Sequence, residues 1–239
     1  MIKGIDVSQW QGTIDFKKVK NAGIDFVMIR AGYGEGYEDS YFEQNVYNAD
    51  KNGLHVGAYY FVYAKDVNSA KNNADNFIKL LSKFKGKIDY PVACDFEYES
   101  VDFLKQNGIT PTKKLVLDIT KAFCERVEKA GYYTMLYSNQ DYLNLYYEEL
   151  TKQYDLWYAN WSDTKTRTVN MWQYSSKGRV NGINGDVDMD YSYLDFSKII
   201  KERGLNFIKS DDVKDTNLKV GDTFEIGEIS DKKIVLIKK

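Results

Sequence analysis

The sequence predicts an α/β fold: an irregular TIM-like β/α barrel with about eight strands and reduced helices in its second half, plus a short C-terminal β appendage. Three observations predict it. Apolar runs alternate with amphipathic stretches from the N-terminus to about residue 195, the pattern of parallel strands joined by helices. About eight such runs fall in that span, a number that suits closure into a barrel. Beyond residue 150 the connections shorten and the helical patterns weaken.

The expected strands are Gly4–Val7, Phe26–Ala31, Val56–Tyr63, Pro91–Phe96, Tyr133–Ser138, Asp155–Ala159, Asn170–Tyr174 and Asp186–Asp190. Helical patterns separate the early ones. "DSYFEQNVYNADKNG" puts Phe42, Val46 and Ala49 on one face and ends at Gly53, a suitable C-terminal stop. "DVNSAKNNADNFIKLLSKFKG" repeats the pattern with Ala70, Ala74, Phe77, Leu81 and Phe84. "TPTKKLVLDITKAFCERVEKAG" opens with Thr110 as N-cap and Pro111 at the first helical position, and closes at Gly131. From about Gly204 the pattern changes to two short β-like runs, separated by Gly227 and by Ser230, Asp231 and Lys232. The expected organisation is a barrel over 1–200 and a small β-rich extension over 204–239. An extension of about 35 residues is too short for an independent core and serves either packing or binding.

Composition excludes several classes of function. With 33 Lys and Arg against 35 Asp and Glu, a net charge of −2 gives no general attraction to nucleic acid or anionic membranes. No run reaches the roughly 18 apolar residues of a membrane span. "MIKGIDVSQW" enters a strand pattern almost at once, so no signal peptide is expected. Two cysteines and one histidine are too few for a zinc site, and no metal or cofactor is expected. His55 is placed at the start of a strand, away from the end where parallel sheets hold their sites. Cys94 faces away from Asp95 on its strand and Cys124 lies on a helix; they are either paired or two buried thiols.

Carboxylates are left as the candidates for acid–base chemistry. "ACDFEYES" carries acids at every second position of a strand, so Asp95 and Glu97 face one way while Cys94 and Phe96 face the other. Both acids lie at a carboxyl end, where barrel enzymes keep their chemistry. One carboxyl held protonated beside others held ionised suits glycoside hydrolysis. Glu97, with the longer reach, is the better proton donor, and Asp95 the better charge partner. Asp6 in "KGIDVSQWQG" ends another strand, and Asp188 and Asp190 in "GDVDMDYS" are a same-facing pair on the last. Barrel closure makes first and last strands neighbours and gathers these acids at one mouth. A carboxylate-bound Mg²⁺ or Ca²⁺ is the alternative use of such a cluster. Aromatic residues, 20 Tyr and 4 Trp among them, crowd the strand ends, where ring faces stack on sugars. Tyr137 and Trp157 are the best placed, and Gln173 offers an amide.

"GIDVSQWQGTIDF" (4–16), "FVMIRAGYG" (26–34), "GAYYFVYA" (57–64), "VACDFE" (92–97), "LYSN" (136–139), "LWYANW" (156–161) and "MWQYSSKGRVNGINGDVDMD" (171–190) together resemble glycoside hydrolase family 25, the Chalaropsis-type lysozymes. The resemblance covers residues 1 to about 196. It implies a β/α barrel with reduced helices in its second half, and cleavage of the β-1,4 bond between N-acetylmuramic acid and N-acetylglucosamine in peptidoglycan. It also implies Glu97 as general acid, with Asp95, Asp6 and Asp188 as the remaining acidic rim. Asp95 would orient the substrate's acetamido group if that group assists. Two departures stand out: Tyr60 occupies a position where many members carry His, and Asp190 one where Asn is common. Tyr60 is therefore expected to serve whatever binding role that position has. The competing readings are another peptidoglycan or chitin glycosidase and a non-catalytic wall-binding protein. Without a signal peptide, an endolysin released through membrane holes or an autolysin exported otherwise is expected.

Overall fold

The computed structural model describes residues 1–208 and the backbone of two later strands, Phe224–Ser230 and Lys233–Lys238. By contacts the chain divides into Met1–Lys209 and Ser210–Lys239. In the first unit, eight strands close into a barrel: β1 (Ile2–Val7), β2 (Phe26–Tyr33), β4 (His55–Phe61), β5 (Val92–Asp95), β6 (Thr134–Asn139), β7 (Asp155–Ala159), β8 (Met171–Gly178) and β9 (Val187–Ser192). A two-residue strand, β3 (Tyr37–Glu38), pairs antiparallel with the end of β2. The helices are α1 (Phe16–Asn21), α2 (Phe42–Lys51), α3 (Val67–Ser82), α4 (Tyr98–Gln106), α5 (Lys113–Lys129), a single turn α6 (Gln140–Tyr142) and α7 (Phe196–Glu202). As expected, the second half has short turns where the first has helices. In the second unit, β10 (Phe224–Ser230) and β11 (Lys233–Lys238) pair antiparallel, with the register shifting between Ile226 and Glu228 at Gly227.

Strand alternation sorts the side chains into two cores. Ile5, Val27, Ile29, Val56, Ala58, Val92, Cys94 and Leu136 point outward and pack against Phe42, Val46, Phe77, Phe123 and Cys124 of the helices. Phe26, Met28, Ala93, Met135, Trp157 and Met171 point inward and fill the barrel. Space inside is tight enough that two strand positions need glycine. A Cβ at Gly4 would strike the Phe26 ring, and one at Gly57 would strike Met28 Sδ. At the amino end of the strands, Tyr90 stacks on Phe26 at 4.7 Å, and Phe196 of α7 meets Tyr90 and Tyr133 edge-on at 5.7 and 5.6 Å. These rings plug the base, each contributing about 1.5–3 kcal/mol through burial.

Three local expectations are corrected. The strand expected to run to Phe96 stops pairing at Asp95, and α4 begins at Tyr98 where no helix was expected. The helix expected to start at Pro111 is capped by Thr112, whose Oγ1 accepts from Leu115 N–H at 3.2 Å, leaving Pro111 in the preceding loop. The last strand, read as parallel with the rest, is antiparallel to both neighbours. The eight residues 179–186 between β8 and β9 are too few for the crossover a parallel connection needs. Both cysteines are free and buried. His55 at the start of β4 contacts Asp89 through Nδ1 at 2.5 Å, far from the carboxyl-end mouth. No described helix is long and apolar enough to cross a membrane.

Candidate active site

All eight barrel strands and one helix cap contribute side chains to the mouth. On β1, Ile5 and Val7 face the helices, so Asp6 between them points into the barrel and is buried. On β5 the same alternation turns Cys94 outward and Asp95 inward. The chain remains extended through Glu97 (φ −139°, ψ −153°), which caps α4 while its N–H donates to Ser100 Oγ at 3.2 Å. The period of two therefore outlasts the ladder, and Asp95 and Glu97 reach one cavity. Glu99 follows in the first turn of α4.

The reversed direction of β9 decides which of its acids meets solvent. An antiparallel strand begins at the mouth, so Asp188 lies at the rim, in register with Asp6. Asp190, two residues deeper, is fully buried opposite Gly4 and Gln173. The resulting cavity, about 270 Å³, is lined by Asp6, Asp95, Glu97 and Asp188 together with Arg30, Tyr59, Tyr137, Trp157 and Gln173. Exposed indoles stand at its edges: Trp10 is 77% and Trp161 63% exposed. Further hollows continue past each, one with Tyr33 and Tyr63 beside Trp10, the other with Tyr98, Asn139 and Asn160 beside Trp161.

Gln173 ties the site together. Its Nε2 donates to Asp6 Oδ2 at 2.8 Å, and its Oε1 accepts from Tyr137 Oη at 3.1 Å and Trp161 Nε1 at 3.0 Å. Trp157 Nε1 donates to Asp190 Oδ1 at 2.7 Å. Arg30 is the one cation among the lining residues, and its Nε is held by Asp39 Oδ2 at 2.9 Å. Asp95 Oδ1 and Asp190 Oδ2 are buried and meet no donor among the described residues.

The carboxylates are separated by environment. Burial, then the charges of Glu99 and Asp188, pushes Glu97 up to about 7. Burial also raises Asp188 to about 6, with Asp186 adding and a backbone N–H opposing. Asp95 is driven up by burial, Glu97 and Glu99, against Arg30, and Asp6 by burial, Asp188 and Asp190. Tyr59 and Tyr137, raised chiefly by burial, stay neutral hydroxyl donors. Near neutrality the cavity thus holds a carboxyl able to give a proton, Glu97, beside Asp188, which is raised less and is able to hold charge. Among the described residues, no group of three or more His, Cys, Asp or Glu is arranged to hold a metal ion.

Of the eight residues singled out in the sequence, Asp6, Asp95, Glu97, Asp188, Tyr137, Trp157 and Gln173 come together here. Tyr60 does not. It is 0% exposed, lies against Phe77 and Phe123 under the helices, and donates its hydroxyl to Gly34 O at 2.9 Å. The neighbouring Tyr59 faces the mouth instead, edge-on to Trp157 at 5.8 Å. Parity would have found it: Tyr59 shares a strand face with Gly57, which abuts Met28 inside the barrel. The same counting from Phe26 and Met28 points to Arg30.

Known proteins resemble this chain in sequence and in fold. The model of the family Glycosyl hydrolases family 25 matches residues 5–183. An autolytic lysozyme of Clostridium acetobutylicum is 30% identical over 227 residues, covering 91% of this chain. A family 25 glycosyl hydrolase of Bacillus anthracis superposes with a TM-score of 0.71 at 27% identity, covering 84% of this chain and 92% of that one. The modular autolysin LytC of Streptococcus pneumoniae, solved with a synthetic peptidoglycan ligand, gives a TM-score of 0.69 at 27% identity, over 79% of this chain and 46% of that one. This chain spans 63% of the length of the Clostridium lysozyme. The match in sequence blocks, barrel and span shows that the chain belongs to glycosyl hydrolases family 25.

Proposed function

We propose that this protein is a lysozyme that hydrolyses the β-1,4 bond between N-acetylmuramic acid and N-acetylglucosamine in bacterial peptidoglycan. The observation that carries the reading is the pairing of Glu97, pushed up to about 7 by burial and neighbouring acids, with the buried Asp95 beside it. Glu97 protonates the leaving glycosidic oxygen, and Asp6 and Asp188 stabilise the positive charge that develops on the sugar. Asp95, which lines the cavity beside Glu97, accepts the N–H of the substrate's acetamido group and aligns it with the reacting carbon. Tyr137 and Trp157 bound the reacting sugar, while Gln173 holds Asp6 in place.

The polymeric substrate is supported by the hollows that continue on both sides of the cavity, with Trp10 and Trp161 as platforms for sugar faces. It is supported too by the relatives, a lysozyme and an autolysin solved with a peptidoglycan ligand.

Glu97→Gln keeps the shape of the donor and removes its proton chemistry. Clearing of purified cell walls is expected to fall by about 10²–10⁴-fold with wall binding retained. Products of the native enzyme should carry N-acetylmuramic acid at the new reducing ends. N-acetylglucosamine there would move the reading to a glucosaminidase, and unchanged clearing by the variant would refute the assignment of Glu97.

A further inference from the structure

Asp190 is the acid of the cluster that the proposed reaction leaves unused, and its surroundings are unusual for a carboxylate. Oδ1 accepts one hydrogen bond, from the Trp157 indole at 2.7 Å. Oδ2 is fully buried and meets no donor among the described residues. Across one ladder Asp190 stands opposite Gln173, and across the other opposite Gly4, which has no side chain to intervene. Its diagonal neighbour on the same inner face is Asp6, and the two carboxyl groups lie within hydrogen-bonding range. Gln173 closes the triangle by donating to Asp6 Oδ2 at 2.8 Å.

Ionised carboxylates only accept hydrogen bonds, so two of them in contact have no hydrogen to share. Among the described residues, no nearby cation balances them either. Around the pair stand Asp188 on β9, Tyr59 on β4, Asp95 on β5, Tyr137 on β6 and Arg30 on β2, whose guanidinium is bonded to Asp39. Tyr174, on the outer face of β8, adds no positive charge. Two adjacent buried anions in such a setting cannot both stay ionised.

We propose that Asp6 and Asp190 share one proton at neutral pH, and that Asp190, through this proton and the Trp157 indole, is the positioning residue for Asp6. Burial pushes Asp190 up to about 8 and raises Asp6 as well, in agreement with that arrangement. The proton belongs to the pair rather than to either residue. Its effect is to keep the pair at a single negative charge, so that Asp6 is anchored at the mouth instead of being repelled from the barrel. The role assigned to Asp6 rests on the hydrolytic reading above; the shared proton does not.

The proton is read without substrate, by infrared spectroscopy of the full chain carrying Glu97→Gln, which removes the acid signal of Glu97 itself. At neutral pH a protonated-carboxyl carbonyl band is expected, and either Asp190→Asn or Asp6→Asn, added to that background, should remove the same component of it, leaving only any band that Asp95→Asn removes. A spectrum that neither substitution changes would overturn the proposal; if one variant fails to fold, the other decides. With Glu97 intact, Asp190→Asn supplies an amide hydrogen in place of the shared proton, and should keep kcat/KM within about threefold of the native value below neutrality. Asp190→Ala supplies none and should lose about tenfold or more. Equal losses in both variants would leave Asp190 as mere packing and refute the positioning role. Failure of the product analysis with the band still present would strike the hydrolytic reading alone.

Discussion

At the base of the barrel, Asp89 accepts from Val56 N–H at 2.8 Å with one oxygen, and contacts His55 Nδ1 at 2.5 Å and Ser197 Oγ at 2.9 Å with the other. Nearby, Asn206 donates to Ile88 O and Tyr90 O and accepts from Tyr133 N–H, so its buried amide is fully used. At the mouth, Asp95 and Asp190 each keep a buried oxygen with no donor among the described residues. Both ends are built on the same strands, yet the base ties down its carboxylate and amide and leaves unpaired, among the described residues, only the neutral Tyr90 and Tyr132 hydroxyls, whereas the mouth leaves carboxylate oxygens short. The base binds the fold together; the mouth holds a costly arrangement ready for a proton to complete. A larger cavity of about 410 Å³ near Tyr133 and Arg203 fits the contrast, since the Asp155 carboxylate in its wall already accepts from Tyr133 Oη.

The comparison can be broken by exchanging the behaviour of the ends. Asp95→Asn should lower turnover by about 10²–10³-fold, because it weakens the acceptor that aligns the acetamido group in the proposed reaction. It should leave the melting temperature unchanged or raised, because a buried acid crowded by Glu97 and Glu99 is relieved. A large fall in melting temperature would show that the mouth, too, is structural. Asn206→Ala should do the reverse. It strips partners from Ile88 O, Tyr90 O and Tyr133 N, costing about 3 kcal/mol in denaturant unfolding, with kcat per folded molecule little altered.

Smaller effects come from pH. In the proposed reaction Glu97 must be protonated to donate, so kcat/KM should fall as pH rises through about 7. Asp188 must be ionised, so activity should also fall as pH drops through about 6. Glu99→Gln removes one of the charges that raise Glu97 and should move the alkaline limb to lower pH; an unmoved limb would mean that another group controls it.

The smallest effect lies at the base. Asp89 raises His55 above its ordinary 6.5, so the folded chain holds that proton more tightly than the unfolded one. This contribution is complete below about 6.5 and is lost as pH rises through the folded value, and partial exposure of the pair keeps it modest. Melting temperature should therefore decline slightly from about pH 6 to pH 8 in the native protein and less in His55→Gln.

Much of the mouth was legible because strand alternation is a geometric rule. Asp6, Asp95 and Asp188 each sit between outward-facing apolar residues, so their direction follows from counting by two. Glu97 was found for a related reason, although it caps a helix, because its backbone remains extended. Tyr60 was misplaced because adjacent tyrosines give no parity of their own, and only the inward Gly57 reveals which one faces the cavity. The depth of Asp190 was hidden by strand direction. Local pattern says which face a residue takes, while antiparallel pairing, set by the short β8–β9 connection, says how far down it lies.

That antiparallel closure also sets when the enzyme comes into being. Gln173 and Asp6 are 167 positions apart in the chain, and β9 is the last strand of the barrel to be made. During synthesis the helices and the early parallel strands can dock while Asp6 still lacks both Gln173 and Asp188. A nascent chain therefore carries most of its fold before it carries any chemistry. Truncation ahead of β8 should leave it inert, because Gln173 and Asp188 are then both missing.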